Sequence, residues 1–161
     1  MAEVKVIGNI YNNILKGIQE KKTLIALQGS ARSGKTRNTV IFLIQIALER
    51  KLRISIVRAS LPVLKRSVFR DDFQEVMMQM GIWNGSRMNK TEMVYTFENG
   101  SVIEFFATDG PEGAQKARGP GRDVLFCNEA NEIDEENFKQ MRMRTRMFSI
   151  IDFNPSFTEE H

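Results

Sequence analysis

The chain has 161 residues, 42% of them apolar and 27% charged, with a net charge of +3. That is enough for one ordinary core and too little for two comfortable domains, and so mild a charge neither demands nor excludes nucleic acid. The lone Cys127 excludes an internal disulfide, the lone His161 excludes a histidine-based metal site or Ser-His-Asp triad, and no signal peptide or membrane-length apolar run is visible, so a cytoplasmic protein without a membrane partner is expected.

Taken in order, apolar groups at Ile10, Ile14, Leu15 and Ile18 predict a short amphipathic helix over Ile7 to Gln19. Leu24 to Gln28 reads as a buried strand. Thr36 to about Glu49 reads as a helix apolar nearly all round, which must be packed on several sides. Between them lies Gly29-Ser30-Ala31-Arg32-Ser33-Gly34-Lys35-Thr36, the G-x-x-x-x-G-K-[ST] pattern of a phosphate-binding loop. Its glycines let successive N–H groups point at phosphate oxygens, and the following helix adds its positive dipole end. Gly29, Ser30, Ala31, Arg32, Ser33, Gly34, Lys35 and Thr36 are therefore expected to bind a nucleoside triphosphate, with ATP and Mg²⁺ as the expected cofactors. Lys35 would reach the β- and γ-phosphates and the Thr36 hydroxyl would ligate the metal.

Ile54 to Arg58 is a short strand rich in β-branched residues. Ser60 offers an N-cap and Pro62 suits a first helical turn. The spacing of Leu61, Leu64, Val68, Phe69, Phe73, Val76, Met77 and Met80 then predicts a helix of about five turns. Met93–Glu98 and Ser101–Phe106 flank Asn99-Gly100, a hairpin signal. Asp109 is expected to cap a short helix that runs to Ala117 and stops at Arg118-Gly119-Pro120-Gly121. Asp123 to Cys127 is another buried strand, Ile133 to about Met143 a helix, and Phe148 to Phe153 the last strand, ended by Asn154-Pro155. Strands alternating with helices, plus one inserted β-hairpin, predict an α/β domain around a mainly parallel sheet flanked by helices. Residues 1–161 read as a single domain, expected to be truncated at its C-terminal end.

Parallel sheets place ligands at the carboxyl ends of their strands. The strand ending at Cys127 delivers Asn128-Glu129-Ala130-Asn131 to that edge, which makes Glu129 the candidate to orient and polarise an attacking water. Asn128 supplies no charge, but its carbonyl could accept from a metal-bound water. Asp152-Phe153-Asn154-Pro155 stands at another strand end, and there Asn154 is the preferred sensor of the γ-phosphate.

Gly29–Thr36, Val57-Arg58-Ala59-Ser60, Leu64-Lys65-Arg66-Ser67-Val68, Lys116-Ala117-Arg118-Gly119, Asn128-Glu129-Ala130-Asn131 and Asp152-Phe153-Asn154-Pro155 together resemble, in order and across nearly the whole chain, the large terminase subunit of tailed double-stranded-DNA bacteriophages. The resemblance implies a P-loop NTPase of the additional-strand, RecA-like type. It further implies the N-terminal ATPase of a motor that pumps double-stranded DNA into a procapsid through the portal, in the cytoplasm of a bacterial host. A portal protein, a small terminase subunit and ring self-assembly are the implied partners. The nuclease half of such proteins is expected to be missing from these 161 residues, so no acid here is assigned to DNA cleavage. By position, Gly29–Thr36 is similar to the Walker A loop, Asn128-Glu129 to the Walker B end with its catalytic glutamate, and Asp152–Pro155 to the coupling motif. Asn128 departs from the more usual Asp, as in a subset of terminases, and Arg32 lies where a loop arginine is a proposed sensor.

Arg118, in its Gly/Pro-rich loop, is the first candidate for a finger inserted into a neighbouring subunit's site, and Arg122 the second. Basic residues gather at Arg58, Lys65, Arg66 and Arg70, and at Arg142, Arg144 and Arg146, and such clusters suit contacts to the DNA backbone or a solvated face. The acids Glu132, Asp134, Glu135 and Glu136 read as surface rather than a metal site. Three alternatives stay open. One is a P-loop kinase with Arg142, Arg144 and Arg146 in its lid. Another is a helicase or recombinase core, and the third is a nucleotide-binding module without turnover.

Overall fold

The structure, a computed structural model, describes residues 10–29 and 34–154. Among these, seven strands form one sheet: β1 (Leu24–Gln28), β2 (Arg53–Arg58), β3 (Met88–Asn89), β4 (Val94–Thr96), β5 (Val102–Ala107), β6 (Arg122–Cys127) and β7 (Thr145–Phe153). Their order is β1-β7-β6-β2-β5-β4-β3. The first five in that order run parallel, and β4 and β3 are added antiparallel at one edge. The strand that leads into the phosphate loop is thus separated from β6 by β7, which is the added strand expected of this fold type.

Period-two alternation assigns the strands' side chains to two cores. Ile54, Ile56, Ile103, Phe105, Val124, Phe126, Phe148 and Ile150 face one side, where α1 (Ile10–Gln19), α2 (Lys35–Glu49) and α3 (61–79) cover them. Val57, Phe106, Leu125, Cys127 and Ile151 face the other, under α4 (Gly110–Ala117) and α5 (Glu135–Met143), which contribute Ala117, Phe138 and Met141. Strands buried on both faces read as continuous apolar runs, which is why β2 and β6 stand out in the sequence. No helix among the described residues is long and apolar enough to cross a membrane.

Local differences from expectation have physical causes. The helix over 61–79 is continuous, but Leu64–Gln74 is wound as π-helix. Its buried residues are Leu64, Val68 and Phe73. At about 100° per residue, an α-helical step of five from Val68 would turn Phe73 roughly 140° off the core face, and the wider winding brings it back. There Phe73 meets Phe105 and Tyr95, with ring centroids at 5.1 and 5.6 Å. Neither Ser60 nor Asp109 makes a side-chain cap bond, although each stands at an N-cap. The helix expected from Ile133 starts at Glu135, because Asp134 accepts the Glu136 N–H at 2.7 Å and sets the first turn there. The hairpin forms, with Phe97 N donating to Ser101 O, Gly100 N donating to Phe97 O, and Gly100 in the left-handed region at φ 90°. This is a three-residue loop closed by a glycine rather than a two-residue turn.

Candidate functional site

All five parallel strands end at the same edge, so Gly29 after β1, Arg58 at the end of β2, Asn128 and Glu129 after β6, and Asp152 to Asn154 at the end of β7 are brought together. Gly34, at φ 80°, turns the chain into α2 in a conformation that favours glycine. The loop residues Ser30, Ala31, Arg32 and Ser33 lie outside the described residues, as does Pro155. The loop's last two functional side chains are placed.

Lys35 is buried, and its ammonium donates to Gly29 O at 2.6 Å and Phe153 O at 2.9 Å. Two strand ends therefore hold the lysine where the loop closes. The Thr36 hydroxyl lies 3.3 Å from Asp152 Oδ2 and accepts from the Asn128 amide at 3.0 Å. Asp152 is fully buried. It takes the Asn128 amide on both oxygens, at 3.1 and 3.0 Å, and the Glu129 N–H at 2.7 Å. To aim that N–H, Glu129 adopts φ 51° and ψ 57°, a left-handed conformation rare for a residue with a side chain and typical of constrained functional positions.

The electrostatics follow from this crowding. Burial raises the Asp152 carboxyl above its ordinary range, against the pull of the Glu129 N–H, the Asn128 amide and Lys35. The Glu129 carboxyl is also raised, first by burial and then by the charge of Asp152, with Arg58 and Lys35 opposing. Three acids, Asp152, Glu129 and Glu132, set against Lys35 and Arg58 leave a negative excess. An oxygen-only donor set with that excess, Thr36 Oγ1 beside a carboxylate, suits a hard divalent cation such as Mg²⁺. No group of three or more acids, histidines and cysteines that could hold a metal by themselves occurs among the described residues.

Several expected positions are corrected. The Asn128 carbonyl was to accept from a metal-bound water, but that oxygen takes the Arg58 guanidinium. Arginine has no acceptor, so the amide can be oriented only this way, with its NH₂ toward Thr36 and Asp152. Arg58 is accordingly no DNA-facing cation: its other end pairs with Glu132 at 3.7 Å. Arg122 cannot serve as a finger. It is 1% exposed at the amino end of β6, with Nε on Ser55 Oγ and Nη1 on Met141 O. Arg118 is exposed just past the last turn of α4, which runs from the end of β5 toward the start of β6. Arg142, Arg144 and Arg146 flank the start of β7, also at the amino edge, which is the wrong end for a lid over the phosphates. Lys65, Arg66 and Arg70 are exposed on α3, and Asn154 is half-buried just past β7.

Asp152 is the residue that reading the sequence missed in favour of Asn154. Its signal was parity: Phe148, Ile150 and Asp152 share one face of β7, and an acid in register with two core residues is anomalous.

A family model described as phage terminase large subunit matches residues 21–160. No curated protein matches the sequence. The large terminase of a thermophilic bacteriophage is similar in structure, with a TM-score of 0.74 at 15% identity, covering 98% of this chain and 42% of that one. The same protein in complex with ATP-gamma-S gives 0.66 at 15% identity, over 92% of this chain and 38% of the other. The large terminase ATPase domain of Thermus phage P74-26 gives 0.56 at 13% identity, over 81% and 58%. At these identities the likeness establishes the fold, and the chain spans about two-fifths of the length of the thermophilic phage's protein.

Proposed function

The chain belongs to the phage terminase large-subunit family, and we propose that it is the ATP-hydrolysing motor domain of a DNA-packaging terminase, coupling ATP hydrolysis to translocation of double-stranded DNA into the procapsid. The observation that carries this reading is the meeting of Lys35, Thr36 and Glu129 at one sheet edge, delivered by α2 and β6 with β7 between β1 and β6. Gly29 to Thr36 cradle the triphosphate and Lys35 neutralises the β- and γ-phosphates; Thr36 would hold a Mg²⁺, which would supply charge stabilisation to the transferring phosphoryl group. Glu129 orients the attacking water and takes its proton, a task suited to a carboxyl that burial makes more basic than usual. Asn154, where β7 meets the loop's edge, reports the nucleotide state to the rest of the motor.

Arg118 acts on a neighbouring copy's nucleotide rather than its own, which makes turnover a property of the assembled ring on the portal, in the bacterial cytoplasm with the small terminase subunit. The isolated chain then binds nucleotide with little turnover, and the exposed position of Arg118 favours that division. Lys35→Ala should abolish ATP binding. In the assembled motor, Glu129→Gln should retain binding while hydrolysis falls by about 10²- to 10⁴-fold. Equal hydrolysis by wild type and Glu129→Gln removes Glu129 from the mechanism.

A further inference from the structure

The β6 strand ends on an amide where a carboxylate would serve a metal, yet a carboxylate is present one strand over. We propose that Asp152, at the end of β7, is the acid that faces the divalent cation of this site, and that Asn128, clamped by Arg58, is the positioning residue that holds it there. This rests on reading the loop as a Mg²⁺–nucleotide site.

The hydrogen bonds of Thr36 carry the argument. A hydroxyl has one proton and two lone pairs. The Asn128 amide occupies one lone pair at 3.0 Å, and Asp152 Oδ2, at 3.3 Å, is the acceptor for the proton. One lone pair is left for a cation, and a hydroxyl that gives a lone pair to a cation needs an acceptor for its proton. Asp152 is that acceptor. Asn128 cannot be, because Arg58 fixes its donor end toward Thr36. The Asp152 oxygens are further oriented by the Glu129 N–H, so the acid is held from three sides on rigid strand ends. The shift from β6 to β7 is geometrically small because the two strands are adjacent and parallel, with Cys127 opposite Ile151. Residues 128 and 152 therefore stand side by side at the carboxyl edge, Asn128 just past β6 and Asp152 still paired with Leu27 of β1, and exchanging amide and acid between them conserves the total charge of the site.

The test uses the full chain and a fluorescent ADP, titrated with Mg²⁺ and again with a chelator. In wild type Mg²⁺ should tighten ADP binding. Asp152→Asn should keep or improve metal-free binding, since a negative charge beside an anionic ligand is gone, while the tightening by Mg²⁺ falls by ~10- to 100-fold. Undiminished tightening in Asp152→Asn overturns the assignment and leaves the nucleotide site standing. Absence of ADP binding by wild type overturns both. Asp152 is buried, so if Asp152→Asn fails to fold a second measurement, on wild type, decides. Mn²⁺–ADP should broaden the Asp152 carboxyl ¹³C resonance more than that of any other aspartate, and a resonance broadened no more than that of Asp72 overturns the proposal.

Discussion

At the amino edge of the sheet, the Arg122 guanidinium is buried between Ser55 and the Met141 carbonyl, the Ser55 hydroxyl donates to Glu104 at 2.7 Å, and Glu104 closes on Arg53 at 2.9 Å. At the carboxyl edge, Asp152 is buried among Asn128, Thr36 and the Glu129 N–H, with Arg58 behind them. Both clusters put a charge where a side chain is almost never left unpaired. They differ in what they leave over. The amino-edge chain ends on its own counter-ion and leaves over the buried Arg53 Nε, a donor that no acid or metal needs, whereas the carboxyl edge carries two neighbouring acids, a strained Glu129 backbone and a hydroxyl with capacity to spare. A closed network stabilises the fold, and an open one is arranged for a ligand that is not part of the chain.

The largest effect that separates the two edges should come from Arg122→Ala. Burial already lowers the Arg122 pKa, with Glu104 pulling the other way, so the charge is tolerated only through its partners. Removing it leaves Glu104 in a network short of one cation and a cavity at the foot of β6. A loss of about 3–5 kcal/mol in urea unfolding is expected. The affinity of the folded protein for Mg²⁺–ADP should be unchanged, and a parallel loss of affinity would mean that the two edges are coupled through the sheet.

How much of this contrast was legible in the sequence depends on which part is asked about. That Lys35, Thr36 and Glu129 stand at one sheet edge was legible because a local motif fixes the first two and a strand end presents the third. Asp152 was not, because an acid before Phe-Asn-Pro reads as the approach to a turn. Its burial was readable from its parity with Phe148 and Ile150, but its contacts with Thr36 and Asn128 come from β7 lying between β1 and β6, a matter of strand order that no local pattern encodes. Arg58 read as a surface cation for the same reason, its partner Asn128 being 70 residues away. The strands were legible where both faces are buried. The start of β7, Thr145-Arg146-Met147, was lost because it is polar and partly exposed. The π winding of α3 was present only as the five-residue gap from Val68 to Phe73.

A smaller effect, with a pH signature, is expected at Asp72 on α3. Burial lifts its carboxyl from the ordinary 3.8 to about 7; Arg37 opposes the rise, while Asp71, Glu75 and Asp152 add to it. A carboxyl raised in the folded state takes up a proton on folding between those two values, so its contribution to stability falls as pH rises from about 4 to 7. Asp72→Asn should therefore raise stability by about 1–2 kcal/mol at pH 8 and change it little at pH 4. Thermal melts at the two pH values check this, and an equal gain at both would mean that the charge of Asp72 is not the cause. Because Asp152 is among the groups that raise Asp72, adding Mg²⁺–ADP should narrow the pH dependence if the cation neutralises Asp152.

The smallest effect is expected from the arginines at the amino edge. Arg142 reaches Thr23 at 3.4 Å, Arg144 takes Gln140 Oε1 at 2.6 Å, and Arg146 pairs with Asp123 at 3.1 Å, with the arginine side chain 60% exposed. An exposed pair of that kind contributes roughly 0–1 kcal/mol. Asp123 keeps its other bond, from the Arg53 N–H at 2.8 Å, when Arg146 is removed. Replacing all three arginines with alanine should leave Mg²⁺–ADP affinity within about two-fold of wild type, less than about 0.5 kcal/mol by the usual conversion. A kinase-type lid would require the opposite, a large loss of affinity, because its arginines close over the phosphates. Nucleotide titration of the triple variant therefore separates a motor with its chemistry confined to the carboxyl edge from an enzyme whose amino-edge arginines swing across to reach it.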